Sequence, residues 1–235
     1  MKILALETSA VTASVAVTEE ERLLAQSFQN SGLTHSVTLM PMVADLLKNT
    51  GLKLEDMDVI AVSAGPGSFT GIRIGVAAAK GLAWPQDKLC APCSTLESMA
   101  WQCAHMDGEI CAVMDARRKQ VYNARFEARN GLLKRITEDR AIGVEELMEE
   151  LKGREVPVTL VGDGARLCKA AFDEAGVPAQ LAPPHLICQT AWGVARAALE
   201  LARADKLIPA GQMTPQYHRL SQAERERLER EDKNS

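Results

Sequence analysis

The sequence predicts an α/β protein of two similar lobes, each a mixed sheet flanked by helices. Three observations predict it. Each half passes through the same order of elements: three strands, a helix, a strand, a glycine turn and a helix. An acidic residue follows the first strand of each half, Glu7 and Asp115. A G-x-G turn follows the fourth strand of each, Gly65-Pro66-Gly67 and Gly162-Asp163-Gly164. The residues of the two halves differ, so the order of elements carries the duplication. The division places residues 1–106 in an N-terminal lobe and 107–206 in a C-terminal lobe, with the tail 207–235 packing back on the first.

The elements follow in chain order. Lys2 to Leu6 is continuously apolar after the lysine, the pattern of a central strand. Glu7-Thr8-Ser9 is a polar turn; Ala13 to Val17 and Leu23 to Phe28 are the next two strands. His35 to Asn49 carries apolar residues at helical spacing (Val37, Met40, Val43 or Ala44, Leu47), with a kink expected at Pro41 and a stop at Gly51. Val59 to Val62 is a buried strand, rich in β-branched residues. The Gly65-Pro66-Gly67 turn launches a helix capped by Ser68 or Thr70 and running to Ala83. A short strand, Leu89 to Ala91, precedes a helix capped by Ser94 or Thr95 and reaching about His105. The second half runs through strands at Ile110–Met114, Lys119–Glu127 and Leu132–Glu138, with Asn130-Gly131 as a hairpin turn. A helix at Val144–Lys152, a strand at Val156–Val161, a helix to about Ala175 and a last helix at Gln189–Arg203 complete it. A three-stranded meander followed by α-β-α, repeated, resembles the plan of the actin-like ATPases (sugar kinase/Hsp70/actin, RNase H-like). That resemblance implies two domains facing each other across a cleft lined by the two carboxylates and the glycine turns.

Composition narrows the function classes. A formal charge of −4 argues against a general nucleic-acid coat, and 4% aromatic content against base-stacking platforms. Glu7 falls too early for a signal-peptide core, and no uncharged apolar run is long enough to span a bilayer. A soluble cytoplasmic protein is expected, with its six cysteines reduced. Cys90-Ala91-Pro92-Cys93 is a lone C-x-x-C without a second ligand pair, so small apolar residues at a strand end are preferred to zinc or redox chemistry. The four histidines are scattered, offering neither a metal site nor a Ser/His/Asp triad.

A phosphotransferase of this plan needs an acidic residue near the metal–phosphate and backbone that can approach phosphates. Glu7, Thr8, Ser9 and Asp115 are the candidate nucleotide-binding residues. However, the first loop, ETSAVTAS, and the Ala116-Arg117-Arg118-Lys119 stretch contain no glycine, which hinders close approach of backbone to an anion. Solvated turn residues at strand ends are therefore the preferred account of Glu7 and Asp115, and an active kinase or ATPase remains the alternative.

The helix after the first glycine turn is more telling. Gly71, Gly75, Ala79 and Ala83 give it one face of minimal bulk, suited to close packing on the sheet or on another helix. Ile72, Ile74, Val76, Ala77 and Ala78 make it apolar nearly all round, so a partner is expected to cover part of it. The preceding helix is also wide in its apolar arc, at Leu39, Met42, Val43 and Leu46. The candidate partner-binding residues are those four with Phe69, Ile72, Arg73, Ile74, Val76 and Ala77, Arg73 serving as a hydrogen-bonding anchor.

Four segments resemble one bacterial family: ILALETSAVTASVAV, AGPGSFTGIRIGVAAAKGLA, VMDARRKQVYNARF and PQYHRLSQAERE. It is the TsaB (YeaZ) family, a component of the machinery that makes threonylcarbamoyladenosine in tRNA, and the resemblance runs from Ile3 to about Glu226. It implies a non-catalytic subunit that pairs with TsaD, the threonylcarbamoyl transferase, through its first two helices. The TsaE ATPase joins that pair, and a homodimer through the same surface forms when TsaD is absent. No cofactor of its own is implied; ATP or ADP belongs to the complex interface, and tRNA is the substrate of the complex. Where TsaD carries a metal-binding H-x-x-x-H, this chain has Thr95 and Met99, neither of which offers an imidazole. The charged stretch Ser221 to Asp232 reads as a solvated helix with i,i+4 ion pairs.

Overall fold

β1 (Lys2–Glu7) alternates its side chains between two apolar layers. Leu4 and Leu6 enter one, Ile3 and Ala5 the other, so the strand is buried on both faces. The computed structural model describes residues 1–218, and the Ser221–Asp232 stretch lies outside the described residues. The remaining elements are β2 (Ala13–Glu19), β3 (Arg22–Gln29), α1 (His35–Thr50), β4 (Val59–Gly65), α2 (Phe69–Ala83), β5 (Leu89–Ser94) and α3 (Thr95–Gln102) in the first half. The second half has β6 (Gly108–Asp115), β7 (Gln120–Arg129), β8 (Leu132–Arg135), β9 (Arg140–Gly143), α4 (Val144–Leu151), β10 (Val158–Val161), α5 (Ala165–Glu174), β11 (Ala179–Leu181), α6 (Ala191–Arg203) and β12 (Ile208–Pro209).

Two mixed sheets result. The first has strand order β12-β5-β4-β1-β2-β3, the second β11-β10-β6-β7-β8, with β9 also pairing β7. In each sheet the first three strands are antiparallel and the fourth and fifth run parallel to the first. Among the helix signals, Gly51 ends α1 at φ 68°, and its N–H reaches the carbonyls of Leu47 and Lys48. α1 runs through Pro41 as one helix. Ser68 is the cap of α2, its Oγ accepting from the Gly71 N–H. α3 ends at Gln102 rather than His105, and the short strands β9, β11 and β12 fall in stretches to which the sequence pattern assigns no element.

The helices do not respect the division at residue 106. α1 and α2 cover one face of the first sheet, together with Met57, Ala210 and Met213. The other face, Ile3, Ala5, Ala16, Val59, Ala61, Ala91 and Cys93, is covered by α6 from the far end of the chain. Conversely, Leu96, Met99 and Ala100 of α3 pack on Ile110, Ala112, Met114, Tyr122 and Phe126 of the second sheet. Its other face is closed by α4 and α5. The two lobes thus exchange their last helices, which corrects the assignment of Gln189–Arg203 to the C-terminal lobe. The physical reason is that each sheet has two apolar faces and only its own first two helices on one of them. Cys90 and Cys93 fall on opposite faces of the first sheet, as residues three apart on a strand must.

The exchange is fixed where α3 and α6 cross. A Cβ on Gly193 would overlap the carbonyl oxygen of Ser98, so the helices meet backbone to backbone. The Arg196 guanidinium lies 4.8 Å from the centroid of the Trp101 ring. Ser94, the cap of α3, donates to Asp139 Oδ2 at 2.6 Å, and Arg135 bridges Glu97 at 2.7 Å and Asp139 at 2.6 Å, tying α3 to the second lobe. Gly193→Ala should therefore destabilise the protein by about 1–3 kcal/mol or more. For a chain of this size that lowers Tm by at least about 2–4 °C in a thermal melt. An unchanged Tm would mean the crossing is looser than the structure has it.

Candidate functional site

The first-lobe cleft loop is built around a column of glycines. β1 ends at Glu7, and Thr8 and Ser9 pass directly under the start of α2. Added Cβ atoms on Gly67 and Gly75 would stand 2.5 Å from Ser9 O and from Thr8 Oγ1, and one on Gly71 would overlap Thr8 O. Thr8 Oγ1 donates to Gly71 O at 2.8 Å, and the Ser68 N–H donates to Ser9 O at 2.7 Å. The slim face of α2 therefore seats the chain's own loop, with Ala79 and Ala83 buried further along. The loop is thus held against the helix through the Thr8 side chain and the Ser9 carbonyl, with no space between loop and helix at the three glycines.

Glu7 departs from the sequence expectation. It is fully buried rather than solvated: Oε1 accepts from the Ser9 N–H at 2.5 Å and Oε2 from Ser63 Oγ. Burial pushes its carboxyl above the ordinary range, while the hydrogen bonds from Ser63 and Ser9 pull the other way. Thr8 and Ser9 are fully buried too. Asp115, the counterpart in the second lobe, is exposed, its Oδ1 accepting from the Arg117 N–H at 2.7 Å. Of the four nucleotide candidates, then, the structure leaves only Asp115 open to a ligand. The second glycine turn repeats the tight packing, since Cβ atoms on Gly162 and Gly164 would crowd Val113 O and the Asp115 N–H. Asp163 between them is held up by burial first, against the hydrogen bond that Gln189 Nε2 donates at 2.9 Å. Gln189 O in turn accepts from Thr12 Oγ1 of the first lobe at 3.2 Å, so this chain of bonds spans the cleft.

Thr95 and Met99 are fully buried, Met99 in the core of the second sheet. Among the described residues no group of three or more His, Cys, Asp or Glu is placed to hold a metal ion. Nor is any helix of the described residues long and apolar enough to cross a membrane. Burial pushes the Cys90 thiol up to about 11 and Cys103 to about 12, the state of inert core cysteines.

The partner-binding candidates divide. Leu39, Met42, Val43, Leu46, Ile72 and Val76 all belong to the core between α1, α2 and the first sheet, so they are not available to a partner. Their helical stripe is the one the sheet itself requires. Phe69 and Ile74 are half-buried, while Arg73 and Ala77 are exposed. α1 carries a second apolar stripe that faces solvent, with Val37 70% and Met40 44% exposed and Ala44 one turn on. This open face of α1 and α2 is what the wide apolar arcs amount to once the core has been filled.

The chain's own C-terminal segment edges that face. β12 pairs antiparallel with β5, Lys80 Nζ donates to Met213 O at 3.0 Å, and the Gln216 N–H donates to Ala64 O at 2.7 Å. Tyr217 then stacks on Phe69, with ring centroids 4.4 Å apart, and its hydroxyl accepts from Arg73 Nε at 2.7 Å. Tyr217 was not singled out from the sequence; a lone aromatic in a polar tail, two residues after Pro215, was the available signal.

Glu7 gives a testable pH effect. Its folded carboxyl binds a proton more tightly than the unfolded one. The stability it contributes is therefore fully present below the unfolded value, about 4.3, and is lost as pH rises through the raised folded value. Glu7→Gln keeps an acceptor for the Ser9 N–H and cannot ionise. Thermal melts of the two proteins should diverge as pH rises, with the variant more stable by a few degrees at pH 8. Glu7→Ala should melt lower at every pH, because Ser63 and Ser9 lose their acceptor in a buried site.

The chain is similar in sequence to proteins of tRNA threonylcarbamoyladenosine biosynthesis. A family model described as "TsaD: tRNA N6-adenosine threonylcarbamoyltransferase" matches residues 23–229. The tRNA threonylcarbamoyladenosine biosynthesis protein TsaB of Bacillus subtilis is 37% identical, over 74% of this chain and 76% of that protein. The protein of the same name from Escherichia coli is 34% identical, over 67% of this chain and 71% of its own length. The solved structure of YeaZ from Pseudomonas aeruginosa superposes with a TM-score of 0.76 over 92% of this chain and 99% of that one, at 24% identity. The (R)-2-hydroxyglutaryl-CoA dehydratase component A of Acidaminococcus fermentans shares the architecture more distantly, with a TM-score of 0.51 over 86% of this chain and 99% of that one, at 12% identity. The fold is the actin-like one, two mixed sheets flanked by helices. The chain belongs to the TsaB (YeaZ) family of tRNA threonylcarbamoyladenosine biosynthesis proteins.

Proposed function

We propose that this chain is the scaffold and activator subunit that binds TsaD, and with it TsaE, for threonylcarbamoyl transfer to adenosine 37 of tRNA. It works in the cytoplasm, performs no chemical step itself and holds no cofactor alone; ATP or ADP belongs to the surface it forms with its partners. A single observation carries this reading. The two helices beside the first-lobe cleft present an open apolar face, while the loop that a nucleotide would need is packed against Gly67, Gly71 and Gly75. An apolar face on a helix pair fits a helical counterpart on a partner. A second copy of this chain fits the same face when TsaD is absent. The alternative, an ATP-dependent phosphotransferase of the same fold, requires the buried Thr8–Ser9 loop to open against its own hydrogen bonds.

Reconstitution tests the assignment. TsaD and TsaE supplied with tRNA should transfer the threonylcarbamoyl group efficiently only when this chain is added. Val37→Glu and Ala77→Glu place a carboxylate on the open face without touching the core, and each should weaken co-purification with TsaD by about tenfold or more. Full transfer without this chain, or undiminished co-purification by both variants, would overturn the proposal. Calorimetry of the isolated chain with magnesium–ATP should show no binding at millimolar concentration; binding that Asp115→Ala abolishes would favour the phosphotransferase.

A further inference from the structure

Arg73 stands exposed on α2, one turn before the exposed Ala77, and yet its side chain is held still. Its Nε donates to the Tyr217 hydroxyl at 2.7 Å, across 144 residues of chain. Its guanidinium carbon lies 5.5 Å from the centroid of the Phe69 ring and 5.6 Å from that of Tyr217, and those two rings stack within 8° of parallel. An exposed arginine ordinarily samples many rotamers. Here the ring pair and the hydroxyl have removed much of that freedom before any ligand arrives. Tyr217 is fixed in turn, because the neighbouring Gln216 N–H donates to Ala64 O at 2.7 Å.

The hold uses only part of the group. Nε is engaged, whereas among the described residues Nη1 and Nη2 have no hydrogen-bond partner and no carboxylate pairs with Arg73. Arginines elsewhere, such as Arg125, Arg135 and Arg140, do have carboxylate partners. A clip for the C-terminal segment needs one donor, and a lysine supplies it: Lys80, on the same helix, holds Met213 O at 3.0 Å. What an arginine adds is the fork of Nη1 and Nη2, a planar pair of donors that matches the two oxygens of a carboxylate. That fork is the part left open.

The surroundings select the kind of anion. Arg73 shares the open face with Val37, Met40 and Ala44 of α1 and Ala77 of α2, all apolar. A nucleic-acid backbone is met by several cations together, and the other cation of α2, Lys80, is already engaged. A single preset fork beside apolar side chains fits a protein surface that buries its own apolar residues here and brings one carboxylate with them. We propose that Arg73 is the anchor for an Asp or Glu side chain of the docking partner, with Tyr217 as the residue that positions it, an inference that rests on the reading that TsaD docks on this face. The anchor also selects between partners. An apolar surface without an acid would enclose the guanidinium unpaired, which opposes docking.

The test measures the affinity of the full chain for TsaD by biolayer interferometry. The variants are Arg73→Gln, Arg73→Lys and Tyr217→Phe, with Val37→Glu as the control for the face itself. Arg73→Gln and Arg73→Lys should each weaken binding by about tenfold or more while melting within about 2 °C of the wild type, since lysine keeps the charge and loses the fork. Tyr217→Phe keeps the ring stack but removes the acceptor of Nε, and should weaken binding by about threefold. Replacing the Asp and Glu residues of TsaD by Ala one at a time should find one whose loss costs no more when combined with Arg73→Gln than alone. Wild-type affinity of Arg73→Gln would overturn the proposal, as would a loss that couples to no carboxylate of TsaD. A fall in Tm large enough to account for the weaker binding would also overturn it, leaving Arg73 as a clip for the C-terminal segment. If Val37→Glu releases TsaD while Arg73→Gln does not, the anchor falls and the docking face stands; if neither does, both fall.

Discussion

The contact on which the first lobe depends is the one between the Thr8–Ser9 backbone and the glycines of α2. A helix normally stands off its sheet by the length of its side chains; here Gly67, Gly71 and Gly75 remove that distance where β1 ends. α2 lies low over the strand end, and the loop beneath it becomes interior. A carboxylate carried on that loop must then be buried, and Ser63 from β4 and the Ser9 N–H are placed to receive it. The same low seat leaves the far side of α2 with little to cover it except the Tyr217 segment and α1. One steric constraint thus closes the inside of the cleft and opens the outside of the helix.

The second lobe repeats the device with a different outcome. Gly162 and Gly164 press on the end of β6 as closely, yet Asp115 turns outward and secures the N–H of Arg117. The two carboxylates, equivalent in element order, therefore do unlike things. Glu7 is a buried acceptor within the lobe, and Asp115 shapes a surface loop. Duplication of architecture does not carry duplication of chemistry, because each end-of-strand residue answers to its own neighbours.

Much of this was legible in the sequence for identifiable reasons. β1, β4, β6 and β10 are short apolar runs bounded by turn residues, Asn130-Gly131 marks a hairpin, and Gly51 and Ser68 are terminal signals with one meaning. Other features had no local signal. β9, β11 and β12 span two to four residues, too short for any alternation to register. Glu7 reads as a turn residue because its partner Ser63 is 56 residues away. α1 has two apolar stripes, Leu39/Met42/Val43/Leu46 and Val37/Met40/Ala44; periodicity finds both but does not say which one the sheet takes. The exchange of α3 and α6 is illegible for the same reason, since an amphipathic helix records that it has a buried face and not which sheet lies under it.

That exchange has a consequence for the order of events during synthesis. All five principal strands of the first sheet have been made by Ser94, but α6, which closes one of its faces, does not begin until Ala191. At translation rates of about 5–20 residues per second, this leaves roughly 5–20 s in which the nascent sheet has a bare surface of Ile3, Ala5, Val59, Ala61 and Ala91. Such a surface is a target for holdase chaperones and for pairing between neighbouring chains on one message. The N-terminal lobe is first in sequence and cannot be first to finish; its completion waits for the whole of the second lobe to pass.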